Sequence, residues 1–154
     1  VASLIKLLRH CRDARVSLVH PARLGLGESS LNALKQFATV RTVPDLEEAC
    51  LGADVVYMTR LQKERGTEDH LDLYPSVYPE ACLIVEACLR NLPYNGIIMH
   101  PGPSGPELTP LSLCGRDERN MVRKQVRNGL FVRQVLLQAI LAKDVDAWRT
   151  WFAA

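Results

Sequence analysis

Apolar residues recur along the chain in short blocks, and their spacing switches between the period of a helix and that of a strand. Residues 3–12 carry apolar side chains at i, i+3, i+4 and i+7, which predicts a helix with one buried face. Strand-like runs containing β-branched residues follow at 15–20, 38–43 and 54–58. The chain is therefore predicted to open on a helix and to reach its first strands at regular intervals.

Helix signals separate these strands. Ser29 and Ser30 are candidate N-caps for the helix between the first two strands. Asp45, with Glu48 three residues later, resembles a capping box that opens a helix ending at Gly52. The resulting order α-β-α-β-α-β predicts right-handed crossovers and a parallel sheet.

The second half of the chain alternates less regularly. Its predicted elements are a loop over 66–81, strands over 82–85 and 96–99, a helix over 86–91, a helical tract over 118–142 and a short helix over 144–152. Gly129 lies inside the long tract, where glycine costs about 1 kcal/mol relative to alanine. We therefore expect either a break near Asn128 or a close packing contact at Gly129.

These elements predict one α/β domain over residues 1–154. The expected fold is a Rossmann-like three-layer α/β/α arrangement with a parallel sheet of about four or five strands. Helices stand at both chain ends, the first over residues 1–12. A chain of 154 residues with 47% hydrophobic content is long enough to bury a core of this kind.

The stretch from Asp54 to Arg65, DVVYMTRLQKER, passes from a strand directly into charged and amide side chains. Ligands of open α/β sheets bind outside the carboxyl ends of the strands, which favours an anion site here. Arg60 offers a planar fork to a carboxylate or phosphate, Gln62 adds an amide, and Glu64 is placed to orient an arginine. A solvated turn after a strand is the alternative interpretation.

The stretch His100–Glu107, HPGPSGPE, also follows a predicted strand directly. Pro101 and Pro103 restrict the backbone while Gly102 permits close approach, so the loop is suited to presenting rigid carbonyls to a ligand. The Gly102–Pro103 bond is a candidate cis peptide. A plain connector rich in proline and glycine remains the alternative.

Composition and charge exclude several classes of function. The net charge of +2 and the aromatic content of 6% argue against nucleic acid as a partner. No apolar run reaches membrane-spanning length. Gly25 and Gly27 do not complete a dinucleotide fingerprint, because the third glycine and a suitably placed acidic residue are missing, and this argues against a dinucleotide site.

The cysteines and histidines lack the spacing of metal ligands or disulfide partners. The cysteines are Cys11, Cys50, Cys82, Cys88 and Cys114. Their odd number and wide separation indicate small buried hydrophobic residues in a reducing compartment, with no metal site. We expect a cytoplasmic location, or a mitochondrial one if Val1 is a processed N-terminus. Because the chain begins without methionine, we interpret it as a processed product or an excised domain.

Three ordered motifs resemble the aspartate-binding half of the aspartate carbamoyltransferase family. They are DVVYMTRLQKER, MHPGP and QVRNGLFVRQVLLQAIL. The opening VASLIKLL resembles the family's interdomain helix, with Ala2 in place of the usual histidine. The resemblance covers residues 1–142 and implies a catalyst that joins carbamoyl phosphate to L-aspartate in pyrimidine biosynthesis, without a cofactor.

The resemblance also implies roles for individual residues. Arg60 would hold a carboxylate of aspartate, with Gln62 assisting and Glu64 steadying Arg60. The backbone at Gly102 and Pro103 would face the substrate amino group. Arg133 matches an arginine at the edge of the family's site, although a solvated or interhelical arginine is the alternative there. Supporting positions in the same motifs are Lys63, Arg65, His100 and Pro101.

Several positions depart from the family pattern. The S-x-R-T phosphate loop and the other motifs of the carbamoyl phosphate domain are absent, so this chain alone is predicted to be inactive. Gly66 replaces a bulky apolar residue, and Ser104 replaces the common arginine. The rival hypothesis is a catalytically retired relative that serves as a structural or interaction subunit of a larger assembly. An ornithine-specific relative fits the M-T-R-x-Q-K-E-R segment less well.

Overall fold

The computed structural model describes residues 2–20, 25–59, 89–103 and 117–142. The helices are α1 (Ala2–Leu8), α2 (Glu28–Lys35), α3 (Leu46–Cys50) and α4 (Val122–Ala142). The strands are β1 (Arg15–Leu18), β2 (Thr39–Thr42), β3 (Val55–Tyr57) and β4 (Ile97–Met99). The predicted alternation of helix and strand in the first half is therefore confirmed. The predicted elements at 66–81, 82–85 and 144–152 lie outside the described residues.

The strands pair in parallel, as predicted. β1 pairs with β2 from Arg15 opposite Thr39 to Leu18 opposite Thr42. β3 pairs with β4 from Val55 opposite Ile97 to Tyr57 opposite Met99. Within the described residues these are two separate two-stranded sheets, so the expectation of one sheet with about four or five strands is not confirmed there.

The first helix ends earlier than its apolar pattern predicts. α1 stops at Leu8, and the amides of His10 and Cys11 donate to the carbonyls of Leu7 and Leu8 in tighter turns. Such i→i+3 bonds satisfy carbonyls that a helix end leaves without partners. Cys11 consequently lies outside the helix and is exposed, so the prediction of a buried thiol is wrong at this position.

Of the two capping predictions, the one for α2 is wrong and the one for α3 is confirmed. α2 begins at Glu28 with Gly27 as its N-cap, so the prediction that Ser29 or Ser30 caps this helix is wrong. An acidic first residue interacts favourably with the helix dipole, and glycine is tolerated at an N-cap. Asp45 does cap α3, since its carboxylate accepts the amide of Glu47 at 3.0 Å.

Among the described residues, the core is formed by side chains of α1, α2, α3 and β4 and of positions that flank the strands. Its buried apolar side chains are Ile5, Leu34, Val43, Cys50, Met58, Leu92 and Ile98. α1 packs against α2, and α2 packs against β2. Cys50 is completely buried, which agrees with its predicted role as a small hydrophobic residue.

The chain divides into two units, Val1–Asn120 and Met121–Ala154. In the second unit α4 continues through Gly129, so the predicted break near Asn128 is wrong. Among the described residues, a Cβ at Gly129 would meet Arg133 Nη1 at 3.6 Å, which is an ordinary contact, and the alternative of a close packing contact stays a prediction. The cost of one glycine is smaller than the cost of interrupting the hydrogen bonds of a long helix.

Many apolar side chains of α4 are exposed. They include Val126, Leu130, Phe131, Val132, Leu137, Ile140 and Leu141, each with half or more of its surface accessible. Arg127 lies over the ring of Phe131, with its guanidinium carbon 5.8 Å from the ring centroid. In the described part of the chain, no helix combines the length and the apolar character that crossing a bilayer requires.

Candidate functional site

The carboxyl ends of β3 and β4 lie side by side. Their register ends with Tyr57 opposite Met99, and the amide of Met58 then donates to the carbonyl of Met99 at 2.9 Å. Met58 is buried, whereas the next residue, Thr59, is exposed. The two chain segments that leave these strands therefore begin at one edge of the sheet, where ligands of parallel sheets bind.

A buried histidine supports the loop that leaves β4. His100 has no exposed surface, while the three residues after it are exposed. The amide of Gly102 donates to His100 Nδ1 at 2.9 Å, so the ring acts as the acceptor that holds the backbone of the loop. Gly102 has a φ of 71°, and the Gly102–Pro103 peptide is cis, as predicted. This loop, His100–Pro103, is called the β4 loop below.

The other side of β4 is held by a turn at Asp117–Asn120. The amide of Ile98 donates to the carbonyl of Arg119 at 2.8 Å, and Ile98 forms a parallel bridge with Asn120. β4 is thus hydrogen-bonded on both sides, to β3 and to this turn. Backbone bonding on both sides fixes the strand whose end carries the β4 loop.

Arg119 and Asp117 form a two-point ion pair within this turn. Arg119 Nε donates to Asp117 Oδ1 at 3.0 Å, and Nη2 donates to Oδ2 at 2.9 Å. The remaining guanidinium nitrogen, Nη1, donates to the carbonyl of Leu92 at 2.8 Å. The hydrogen bond from the Arg119 side chain holds the pKa of Asp117 below its ordinary value.

Gly96 permits a close approach at the start of β4. A Cβ at this position would lie 2.6 Å from Leu92 Cγ and Cδ1 and 3.0 Å from the carbonyl oxygen of Ala53. Gly96 is buried, and its own amide donates to the carbonyl of Pro93 at 2.9 Å. Only a residue without a side chain fits this contact unchanged.

Comparison with known proteins decides the family. The protein-family model "Aspartate/ornithine carbamoyltransferase, Asp/Orn binding domain" matches residues 1–140. The chain belongs to the aspartate/ornithine carbamoyltransferase family. The resemblance carried by the three sequence motifs is confirmed, and the chain corresponds to the family's C-terminal, amino-acid-binding domain.

Aspartate carbamoyltransferases are among the chain's relatives. The catalytic subunit from Acetivibrio thermocellus is 36% identical over 135 residues, covering 85% of this chain and 40% of that protein. The chloroplastic enzyme of Arabidopsis thaliana is 33% identical over 146 residues, covering 92% of this chain and 35% of that protein. The chain thus spans roughly a third to a half of the length of such relatives.

Solved structures of the family agree with the fold. The crystal structure of Trypanosoma cruzi aspartate transcarbamoylase with carbamoyl aspartate and phosphate matches with a TM-score of 0.74 and 29% identity. The match covers 88% of this chain and 43% of that one. The same enzyme with carbamoyl phosphate and aspartate matches with a TM-score of 0.73. The α/β fold predicted from the sequence is therefore that of a carbamoyltransferase domain.

The structure brings together only part of the predicted carbamoyltransferase site. His100, Pro101, Gly102 and Pro103 form the β4 loop beside the end of β3. Arg133 lies on α4, in the second unit, where it is exposed and its guanidinium runs along Gly129. The predicted positions outside the described residues are Arg60, Gln62, Lys63, Glu64, Arg65 and Ser104.

Sequence reasoning missed Asp117 and Arg119, which hold the strand next to the predicted site. The segment RDER around them is a run of mixed charge, which normally indicates a solvated surface. The signal in the sequence was an aspartate two positions before an arginine. At this spacing the carboxylate of Asp117 can accept the backbone amide of Arg119, and it does so at 2.9 Å. The bond to Leu92 spans 27 positions and has no local signature.

A concavity lies at the amino ends of β1 and β2, where these strands begin. It has a volume of about 660 Å³ and is lined by Asp13, Arg15, Lys35, Gln36, Phe37 and Thr39 among others. Its position is unfavourable for a substrate site, because ligands of parallel sheets bind at carboxyl ends. Among the described residues, no three histidine, cysteine or acidic side chains cluster as metal ligands would.

Proposed function

We propose that this chain is the aspartate-binding half of an aspartate carbamoyltransferase, which transfers the carbamoyl group of carbamoyl phosphate to L-aspartate in pyrimidine biosynthesis. The observation that supports this role is the β4 loop, which lies directly beside the end of β3. Thr59, at that end, is bonded to Arg60, the first residue of the predicted carboxylate site. The described parts of the two motifs, residues 54–59 and 99–103, are thereby neighbours at one sheet edge.

The proposed roles follow from the chemistry of aspartate. Its two carboxylates call for donors with a fixed fork geometry, which Arg60 supplies, with Gln62 assisting and Glu64 orienting Arg60. Its amino group calls for acceptors, which the backbone carbonyls at Gly102 and Pro103 supply. For Arg133 the proposal goes no further than its match to an arginine at the edge of the family's site. The supporting positions are Lys63, Arg65, His100 and Pro101.

The reaction calls for positioning rather than for a nucleophilic side chain. The amine nitrogen attacks the carbamoyl carbon, the bond to the phosphate oxygen breaks, and the amine loses a proton as carbamoyl aspartate forms. Holding the amine at the right distance and stabilising the developing charge supply most of the acceleration in such a transfer. The β4 loop, with a buried histidine beneath its backbone, is suited to the first of these tasks.

The proposal includes a partner that binds carbamoyl phosphate. The chain spans less than half of its relatives' length, and carbamoyl phosphate is proposed to bind to a further domain, in the same polypeptide or a separate chain. The exposed apolar side chains of α4 support coverage by another protein surface, since patches of this kind are seldom left bare. We further propose that the complete domain has the three-layer architecture with about four or five strands.

The test is an assay for carbamoyl aspartate with this chain, alone and together with a carbamoyl phosphate domain. We expect product only with both, and a loss of aspartate use in Arg60→Ala of about 2–4 kcal/mol, on the scale of a broken buried charge-assisted bond. Arg41→Ala is the matched control, because Arg41 is an exposed arginine of the other sheet. Unchanged aspartate saturation in Arg60→Ala would contradict the assignment, and a lack of aspartate binding altogether would favour a retired, structural relative.

A further inference from the structure

We propose that Arg119, oriented by Asp117, is a positioning residue for the β4 loop, whose backbone the proposed function assigns to the aspartate amino group. The inference rests on that proposed function for its consequence in catalysis, but its structural part stands on the described contacts alone. Arg119 binds at two separate points, the turn that leads into β4 and the centre of β4, the strand that carries the loop.

The first point is the turn that leads into β4. Arg119 Nη1 donates to the carbonyl of Leu92, which begins the turn that leads into the strand. This turn is closed by the amide of Gly96, which donates to Pro93. Because Leu92 is buried and its side chain fits against Gly96 without spare room, a shift of the Leu92 backbone would move the beginning of β4.

The second point is the middle of β4. The carbonyl of Arg119 accepts the amide of Ile98, the residue two positions before His100. Ile98 is completely buried, so its amide would have no solvent to replace this partner. One residue therefore holds the segment before the strand through its side chain and the centre of the strand through its backbone.

Asp117 makes the arrangement specific for arginine. Its carboxylate engages two guanidinium nitrogens at 2.9 and 3.0 Å, which fixes the plane of the guanidinium and aims the third nitrogen at Leu92. The two side chains are only 21% and 23% exposed, so water competes weakly for these bonds. A lysine ammonium cannot donate in this fork geometry, although it preserves the charge.

The consequence for the proposed reaction is geometric. From Ile98 the strand runs to His100, whose ring accepts the amide of Gly102. A displacement of about 1 Å in such a backbone can cost on the order of 100-fold in rate when the backbone orients a reacting group. Loss of Arg119 is therefore expected to weaken the use of aspartate while leaving the binding of carbamoyl phosphate nearly unchanged.

The direct test is amide hydrogen exchange in the intact protein, comparing Arg119→Gln and Arg119→Lys with the wild type. We expect the amides of Ile98 and Gly102 to exchange roughly tenfold faster or more in both variants. Loss of the Arg119 side-chain bonds should let β4 and its loop open locally while the rest of the protein stays folded. The amide of Val43, which donates to Leu18 at 2.9 Å in the other sheet, should keep its rate. Arg41→Gln and Arg41→Lys are the matched controls and should leave all of these rates unchanged.

Equal acceleration at Val43, Ile98 and Gly102 would show a general loss of stability and would overturn the proposal. Arg119→Lys serves as the milder variant if Arg119→Gln does not fold, and unchanged exchange at Gly102 in Arg119→Lys would also overturn it.

Kinetics separate this inference from the proposed function. In the presence of a carbamoyl phosphate domain, we expect the KM for aspartate to rise about tenfold or more in Arg119→Gln while the KM for carbamoyl phosphate stays within about twofold. A wild-type protein that uses aspartate, with an Arg119→Gln variant of unchanged KM, would refute the positioning role alone. A wild-type protein that never uses aspartate, with selective exchange at Gly102 in the variants, would refute the proposed function and leave the structural role standing.

Discussion

The two strand pairs have the same parallel pairing but are held by different kinds of side-chain contact. Across β1 and β2, Arg41 Nε donates to Ser17 Oγ at 2.9 Å, and Arg41 Nη1 lies 3.7 Å from Glu48 Oε1. Both charged side chains are more than half exposed, at 56% and 54%. Beside β4, the ion pair of Arg119 with Asp117 has shorter, two-point bonds and less than half of that exposure.

The more exposed ion pair lies across β1 and β2, whereas the less exposed, two-point ion pair lies beside β4, the strand that carries the β4 loop. Exposed pairs contribute about 0–1 kcal/mol because water and salt compete for them. A half-buried fork that also binds a backbone carbonyl restricts geometry, and a binding loop requires restricted geometry. The strand pair next to the proposed aspartate site is therefore the pair with the specific contacts.

The largest expected effect is at the centre of β4. Ile98→Ala should lower the free energy of unfolding by about 3 kcal/mol, since removing a buried large aliphatic side chain leaves a cavity as well as losing burial. Val40→Ala in β2 removes a half-buried side chain and should cost roughly 1 kcal/mol or less. Denaturant titration of both variants measures the contrast, and equal losses would show that the two strand pairs do not differ in packing.

The next effect concerns the glycine at the start of β4. Gly96→Ala should cost about 1–3 kcal/mol, because the added methyl would overlap Leu92 and press against the backbone oxygen of Ala53. Gly129→Ala is the contrasting control, since a Cβ there meets Arg133 Nη1 at an ordinary 3.6 Å and alanine is favoured over glycine within a helix. Thermal unfolding of the two variants decides the point. A tolerated methyl at Gly96 would mean that Leu92 moves aside freely, contrary to the fixed start of the strand.

How far the sequence predicted these regions depends on the range of the interactions. The helix and strand order of the first half, the cis Gly102–Pro103 bond and the start of the loop after β4 follow from local periods and from proline and glycine, and the structure agrees. The predicted length of α1 and the predicted cap of α2 were wrong, because neighbouring residues can end or begin a helix at similar free energy. The bond from Arg119 to Leu92 joins distant segments, and no local pattern encodes it.

The parallel order of the strands was predictable, but their grouping into sheets was not. Helical crossovers between strands imply parallel pairing, and that pairing is observed. Which strands become neighbours depends on contacts across the whole chain, and β3 pairs with a strand far along the sequence, with Val55 opposite Ile97. For the carboxylate site, the motif around Arg60 supplied the prediction, and it stays a prediction.

The ion pair of Asp117 with Arg119 should make the stability of the protein depend on pH. Hydrogen bonding to Arg119 lowers the pKa of Asp117, so the folded state favours the charged carboxylate. The stabilisation is fully present above the pKa of an unfolded aspartate, about 3.9, and is lost as the pH falls through the lower folded value. The free energy of unfolding should therefore drop below about pH 4 more in the wild type than in Asp117→Asn. Denaturant titrations at neutral and acid pH measure this, and parallel pH profiles would contradict it.

The smallest effect is expected where the contact is most exposed. Arg41→Gln removes both the bond to Ser17 and the pair with Glu48, and yet should change the free energy of unfolding by no more than about 0.5 kcal/mol. The reason is that the substitution would leave Ser17 and Glu48 in contact with water, which satisfies them at little cost. The measurement is denaturant titration at low and at high salt, with Arg119→Gln in parallel. If Arg41→Gln lowered the free energy of unfolding as much as Arg119→Gln, the exposure of the ion pairs would not distinguish the two strand pairs. β4 would then differ from β2 only in the loop that follows it.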